Sequence, residues 1–238
     1  EGVTQTGQEV TAIVAENFLR YDTSVGVMCK QNHAEIFPVD MGMVTDTKVR
    51  TDHKVAYGTQ NMTKGPAMTR EQAIKGIEAG IAMVEELKNK GYKILATGEM
   101  GIGNTTTSSA VASVLLDQPV EEMTGRGAGL TSEGLVRKIA AIRKAIELNQ
   151  PDPSDAIDVL AKVGGLDIAG MAGVFLGGAV YHVPVIMDGF ISCVSALIAM
   201  QICPAAGDYI LASHVSKEPA AHLILEHMKK EAILYADM

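Results

Sequence analysis

The chain contains no tryptophan, and aromatic residues make up only 4% of its 238 positions. Its core must therefore be built from Ala, Val, Ile, Leu and Met, and methionine alone occurs 13 times. Small and flexible side chains suit helices packed closely on a parallel sheet, where they let the layers approach. Positive charge is also scarce: 20 Lys and Arg against 28 Asp and Glu leave a formal net charge of −8. Without a basic stripe the chain is not expected to bind nucleic acid. There are three cysteines, Cys29, Cys193 and Cys203, and none pairs in a CxxC motif. Odd in number and set among apolar neighbours, they read as buried thiols of a reducing, cytoplasmic protein. His182, His214, His222 and His227 have no metal-ligand spacing with cysteines or carboxylates, so no metal site is expected.

No signal peptide is apparent, and one apolar run, Val185–Cys203, is long enough to raise a membrane span. Asp188-Gly189 sits near its start, prolines bracket it, and neither flank carries a basic cluster. It reads as a buried strand followed by a core helix, so no membrane is expected as a partner. The chain begins with Glu1 rather than Met, and both ends are expected to be truncated relative to the native protein.

What the chain has is glycine, 24 in all, among alternating strand and helix signals. Glu9–Tyr21 carries Val10, Ile13, Val14 and Phe18 at helical spacing. Ser24–Cys29 and Glu35–Val39 read as short strands, and 42–68 as irregular loop. Thr69-Arg70-Glu71-Gln72 is a capping box. It opens a helix with the stripe Ile74, Ile77, Ile81, Val84 and Leu87, which closes before Gly91 as C′ residue. Tyr92–Thr97 is a predicted strand, followed by a glycine loop and a Thr/Ser/Ala helix from about Thr105 to Leu116. A second glycine loop, 125–129, precedes a helix from Ser132 to Leu148. Further helices are expected near 155–162, 167–180, 190–202 and 218–229, and strands at Val183–Met187 and Tyr209–Ala212. The alternation predicts an α/β fold: a doubly wound, mainly parallel sheet flanked by helices. A single domain over 1–238 is expected, with 1–22 and 218–238 as helical edge elements forming a small subdomain from the chain termini.

The loop Gly98-Glu99-Met100-Gly101-Ile102-Gly103-Asn104-Thr105-Thr106 lies between a predicted strand and a predicted helix. Glycines let backbone close on a ligand, and the helix start supplies free N–H groups and partial positive charge. That is an anion site by construction, although an ordinary tight turn would read the same. It has no Gly-Lys-Ser/Thr and no GxGxxG in a nicotinamide-binding frame. A carboxylate beside such a cradle, Glu99, is costly unless it serves a ribose hydroxyl or a proton in transit. The plainer alternative is an exposed turn residue. Lys138 lies on the Gly134/Ala141/Ala145 line of its helix, where it either reaches a phosphate or snorkels at the core edge. Asp188-Gly189 and Ser213-His214-Val215-Ser216 follow predicted strands, at the ends where parallel sheets bind ligands. Ser213 and Ser216 either cap the next helix, hold a phosphate, or do both.

Taken in order, these motifs resemble the nicotinate-nucleotide–dimethylbenzimidazole phosphoribosyltransferase family of cobamide biosynthesis. The resemblance rests on Glu1-Gly2-Val3, Pro66-Ala67-Met68-Thr69-Arg70, the loop 98–106, Asp158–Gly165, Pro184–Phe190 and Ser213–Ser216. It covers essentially the whole chain. It implies transfer of ribose phosphate from nicotinate mononucleotide to an aromatic lower-ligand base, without a cofactor, in a homodimer. It makes Glu99 a candidate catalytic residue. The implied phosphate and nucleotide contacts are Gly101, Gly103, Asn104, Thr105, Thr106, Gly127, Gly129, Lys138, Asp188, Ser213 and Ser216. Thr6, Val10 and Val14 are the implied base pocket. Thr6 and Val14 stand where better-known members carry Ser and Gln, and Val14 cannot hydrogen-bond an azole nitrogen. The resemblance places a general-base glutamate in an Arg-Leu-Gly-Glu-Gly motif, a motif that would follow Met238. Two alternatives stand beside this reading: a paralogue activating phenolic lower ligands as part of a heterodimer, and a non-catalytic nucleotide-binding subunit.

Overall fold

A computed structural model describes residues 1–235. Four strands form one parallel sheet: β1 (Leu95–Ala96), β2 (Val185–Met187), β3 (Ile210–His214) and β4 (Ala232–Leu234). They lie side by side in chain order. The fold is thus α/β with a parallel sheet and flanking helices, as the alternation predicts. The winding advances one way across these four strands, with no reversal of strand order among them.

The helices are α1 (Glu9–Arg20), α2 (Ser24–Gln31), α3 (Arg70–Asn89), α4 (Asn104–Leu115), α5 (Val120–Met123), α6 (Ser132–Asn149), α7 (Ala156–Val163), α8 (Leu166–Tyr181), α9 (Phe190–Ile202) and α10 (Ala220–His227). The capping box forms: Thr69 Oγ1 accepts from Gln72 N–H, and the Gln72 side chain accepts from Thr69 N–H. Two satisfied orphan groups at the N-terminus fix where α3 starts.

The core is helical more than sheet-like, because the strands are short. Every residue of α9 from Phe190 to Ala199 is buried, which an all-round apolar sequence requires. The reading of Val185–Cys203 as strand then core helix holds, and no helix among the described residues is long and apolar enough to cross a membrane. The expected close approach of layers occurs between α3 and α8. A Cβ on Gly80 would stand 2.0 Å from the Gly170 carbonyl oxygen, and one on Gly173 would stand 1.9 Å from that of Ile77. The two backbones touch, and no side chain fits between them.

Several expectations are corrected. Ser24–Cys29 is helical: Thr23 Oγ1 accepts from Gly26 N–H and starts α2, whose Val25, Val27 and Met28 remain exposed. An alternating Val-Gly-Val pattern had the period of a strand, but the local cap decides. Glu35–Val39 forms no strand beyond a single bridge from Val39 to Arg50. The chain end expected as a helical edge folds back after α10 into β4, because an open edge of β3 offers unpaired backbone groups. Residues 236–238 of that segment lie outside the described residues. Only Cys193 is buried; Cys29 is partly exposed and Cys203 exposed.

Candidate active site

The site assembles at the carboxyl ends of three neighbouring strands. The chain leaves β1 through Thr97, whose N–H and Oγ1 both bond the Ile186 carbonyl of β2, at 3.0 and 3.2 Å. Thr97 Oγ1 also lies 3.0 Å from Ser192 Oγ at the start of α9. So anchored, the loop runs to Gly103, whose φ of +97° lets it turn directly into α4. The N-terminus of α1 braces this turn, with Thr11 Oγ1 accepting from Ile102 N–H at 3.1 Å.

A cavity of about 230 Å³ opens in front of these strand ends. Glu99 follows β1, Asp188 follows β2 and Ser216 follows β3; all three line it, with Thr105 of α4 and Gly127 of the second glycine loop. The two loops meet there, since a Cβ on Gly127 would stand 2.8 Å from Thr105 Oγ1. Five residues named from the sequence thus share one wall.

The others divide. Lys138 is fully buried, and its Nζ donates to Thr105 Oγ1 at 2.9 Å and to the Gly125 carbonyl at 3.1 Å. It ties α6 to both loops immediately behind the cavity and does not snorkel. Desolvation lowers its pKa, and the Glu218 carboxylate partly offsets this. Gly101, Gly103 and Asn104 shape the first loop, and Thr106 is buried in α4 with an unpartnered hydroxyl. The Gly129 carbonyl accepts from Gln5, so the N-terminal segment clasps the second loop. Ser213 turns to His214 Nδ1, at 2.9 Å. Ser216 Oγ accepts from Glu218 N–H at 3.3 Å, one turn ahead of α10 rather than at its cap. Thr6, Val10 and Val14 do not line this cavity. Val10 and Val14 lie half-buried on α1, the helix that braces the first loop.

Glu99 is held by a bridge that sequence reasoning missed. Asn104 Nδ2 donates to Glu99 Oε2 and also to Asp167 Oδ2, the latter at 2.8 Å. Asp167 sits in the first turn of α8 and accepts the Ile168 N–H through its other oxygen. Burial, the neighbouring Asp167 charge and, more weakly, Asp188 push the Glu99 carboxyl up to about 7, against the Asn104 bond that lowers it. Desolvation likewise raises Asp167. A carboxyl with a pKa of about 7 accepts or holds a proton near neutral pH, the property a general acid or base needs. Asp167 and Glu218, a further wall residue, lie two positions past Gly165 and Ser216, where the quoted motifs end. Reading those motifs two residues further was the available signal. Among the described residues, no group of three or more His, Cys, Asp or Glu side chains is placed to hold a metal ion.

A family model described as "Phosphoribosyltransferase" matches residues 1–238. Among curated proteins, the nicotinate-nucleotide–dimethylbenzimidazole phosphoribosyltransferase of Ruminiclostridium cellulolyticum is 51% identical over 240 residues. The match covers all of this chain and 68% of that protein. The protein of the same name from Acetivibrio thermocellus is 48% identical with the same coverage. The chain belongs to this phosphoribosyltransferase family. The solved structure of CobT from Thermus thermophilus superposes with a TM-score of 0.94 at 34% identity, covering all of this chain and 72% of that one. Family membership makes the protein a phosphoribosyltransferase. Phosphoribosyl transfer must hold a phosphate while charge develops at the adjoining sugar.

Proposed function

We propose that the protein transfers the phosphoribosyl group of nicotinate mononucleotide to 5,6-dimethylbenzimidazole or a related aromatic base, giving an α-ribotide and nicotinate. The observation that carries this is the convergence of Glu99, Thr105, Gly127, Asp188 and Ser216 on one cavity, with Lys138 buried behind them. At about 230 Å³ the cavity is smaller than the roughly 300–1,000 Å³ of pockets that enclose whole drug-sized ligands. It fits the phosphoribosyl portion, with the aromatic rings toward the mouth. Val10, Val14 and Thr6 are assigned to the base side.

In this reading the phosphate is bound by the start of α4, by Gly127 and by Lys138, with Ser216 beside them. Gly101, Gly103, Asn104, Thr106 and Gly129 hold the two loops in shape, and Ser213 orients His214 at the end of β3. The base nitrogen attacks the anomeric carbon as the bond to nicotinate breaks, and the leaving ring takes the bonding electron pair and departs neutral at its nitrogen. Positive character at the anomeric carbon is stabilised by nearby carboxylates, Glu99 foremost. The attacking azole loses its proton as the new bond forms; the resemblance names the glutamate of the Arg-Leu-Gly-Glu-Gly motif as the base that takes it, and Glu99, with its pKa near 7, is the carboxyl of this cavity suited to hold a proton beside the sugar. We further assign a single domain, a homodimer and a cytoplasmic setting; the exposed Val25, Val27 and Met28 on α2 support a covered helical face.

The test incubates the protein with nicotinate mononucleotide and a panel of benzimidazoles, purines and phenols, and follows nicotinate release. Release with a benzimidazole is the expected result. No release with any base overturns the proposal.

A further inference from the structure

Glu218 stands in the cavity wall with no part in the chemistry above. Its Oε1 accepts the Gly127 N–H at 3.0 Å, while its Oε2 is buried with no hydrogen-bond partner among the described residues. Gly125 faces that second oxygen so closely that a Cβ there would stand 2.1 Å away. The carboxylate is therefore pressed against the second glycine loop, near enough to Lys138 to act on its charge.

The donors that an entering anion needs are thus already engaged. Gly127 N–H is taken by Glu218, and two of the three Lys138 protons go to Thr105 and Gly125. A carboxylate is itself an anion, and a backbone N–H beside a lysine is an anion's partner. But one of its two oxygens has exchanged water for nothing, which is costly. This carboxylate is held well enough to close the loop and too poorly to resist a better occupant.

We infer that Glu218 is the cradle's own stand-in anion, occupying the Gly127 amide and balancing Lys138 until the donor's phosphate displaces it. The exchange returns the carboxylate to water and gives the amide and the lysine to a more highly charged ligand. Glu218 then sets a threshold: a phosphate dianion outcompetes it, whereas a donor without phosphate has nothing to exchange. The inference rests on the proposed reading of Gly127 and Lys138 as phosphate contacts.

Glu218→Gln keeps the shape and the acceptor for Gly127 but removes the charge. The test measures affinity for inorganic phosphate, nicotinate mononucleotide and the dephosphorylated riboside, by calorimetry, in the wild type, Glu218→Gln and Glu218→Asp. Expected is a fivefold or greater gain in phosphate and mononucleotide affinity in Glu218→Gln, with riboside affinity unchanged. Glu218→Asp, whose shorter arm withdraws from Gly127, is expected to show a smaller gain, and serves if the Gln variant fails to fold. Unchanged or weaker phosphate binding in a folded variant overturns the inference. So does a gain shared equally by the riboside. If the wild type does not prefer mononucleotide over riboside at all, the phosphate reading itself fails, and the inference with it. A wild-type preference that Glu218→Gln leaves unmoved fails the inference alone.

Discussion

Lys138 and Thr105 meet at 2.9 Å, ammonium to hydroxyl, and join the middle of α6 to the first turn of α4. The contact is dry, since no part of Lys138 is exposed. It positions one fixed positive charge behind the start of α4, where the partial charge of the helix has the same sign.

Replacing Lys138 by Met keeps most of the buried stem and removes the charge. Affinity for nicotinate mononucleotide is expected to fall about tenfold or more, equivalent to about 1.4 kcal/mol, while affinity for the base stays within about twofold. Calorimetric titration with each ligand separately checks this. An equal loss for both would show that the lysine serves the fold and not the phosphate.

Glu99 makes stability depend on pH in a direction opposite to most carboxylates. Its folded pKa, about 7, lies above the ordinary 4.5. Its contribution is therefore fully present below about pH 4.5 and is lost as pH rises through 7. The change is on the order of 3 kcal/mol across that window. Glu99→Gln removes the titration, so its stability relative to wild type should rise between about pH 5 and about pH 8. Urea unfolding at the two pH values measures the difference, and a constant offset would contradict the assignment.

Asp167 and Asn104 act on Glu99 in opposite directions. The Asp167 charge raises the Glu99 carboxyl and the Asn104 amide lowers it. Asp167→Asn is expected to shift the acid limb of the pH–rate profile to lower pH, and Asn104→Ala to shift it higher. Profiles that move together, or only scale in height, would remove Asp167 from its positioning role.

Gly80 and Gly173 separate packing from flexibility. Alanine at either meets a backbone oxygen at about 2 Å, and a cost of about 3 kcal/mol or more is expected, at or beyond the upper end of overpacking effects. Gly98, with nothing within 4 Å of a Cβ, serves as control and should tolerate alanine within about 1 kcal/mol. Denaturant midpoints of the three variants decide it.

What was legible in the sequence was local or carried by resemblance. The start of α3 could be read because Thr69 and Gln72 satisfy each other across three residues. Lys138 could be placed because helical period alone aligns it with Gly134, Ala141 and Ala145, and all four are buried. The strand ends bearing Glu99, Asp188 and Ser216 followed from the alternation of strand and helix. Asp167 lies just past a quoted motif, but its function depends on where α8 begins in space, beside an amide from another helix. Glu218 falls at the start of an expected helix, 218–229, and only tertiary structure brings it to Gly127. Val25 and Val27 alternate as a strand would, but the hydroxyl of Thr23, just before them, caps a helix there instead.

The cavity is also a record of how late the molecule acquires it. Gly127 and Glu218 are 91 positions apart, and Asn104 and Asp167 are 63 apart. Contacts of such span are closed only after the intervening chain has been made and its entropy surrendered. A ribosome that has released residues through α8 has produced both glycine loops, but neither β3 nor the segment after it. Donor binding should therefore be acquired only after the segment through Glu218 has emerged, and a nascent chain halted before Ser216 should collapse without recognising nicotinate mononucleotide.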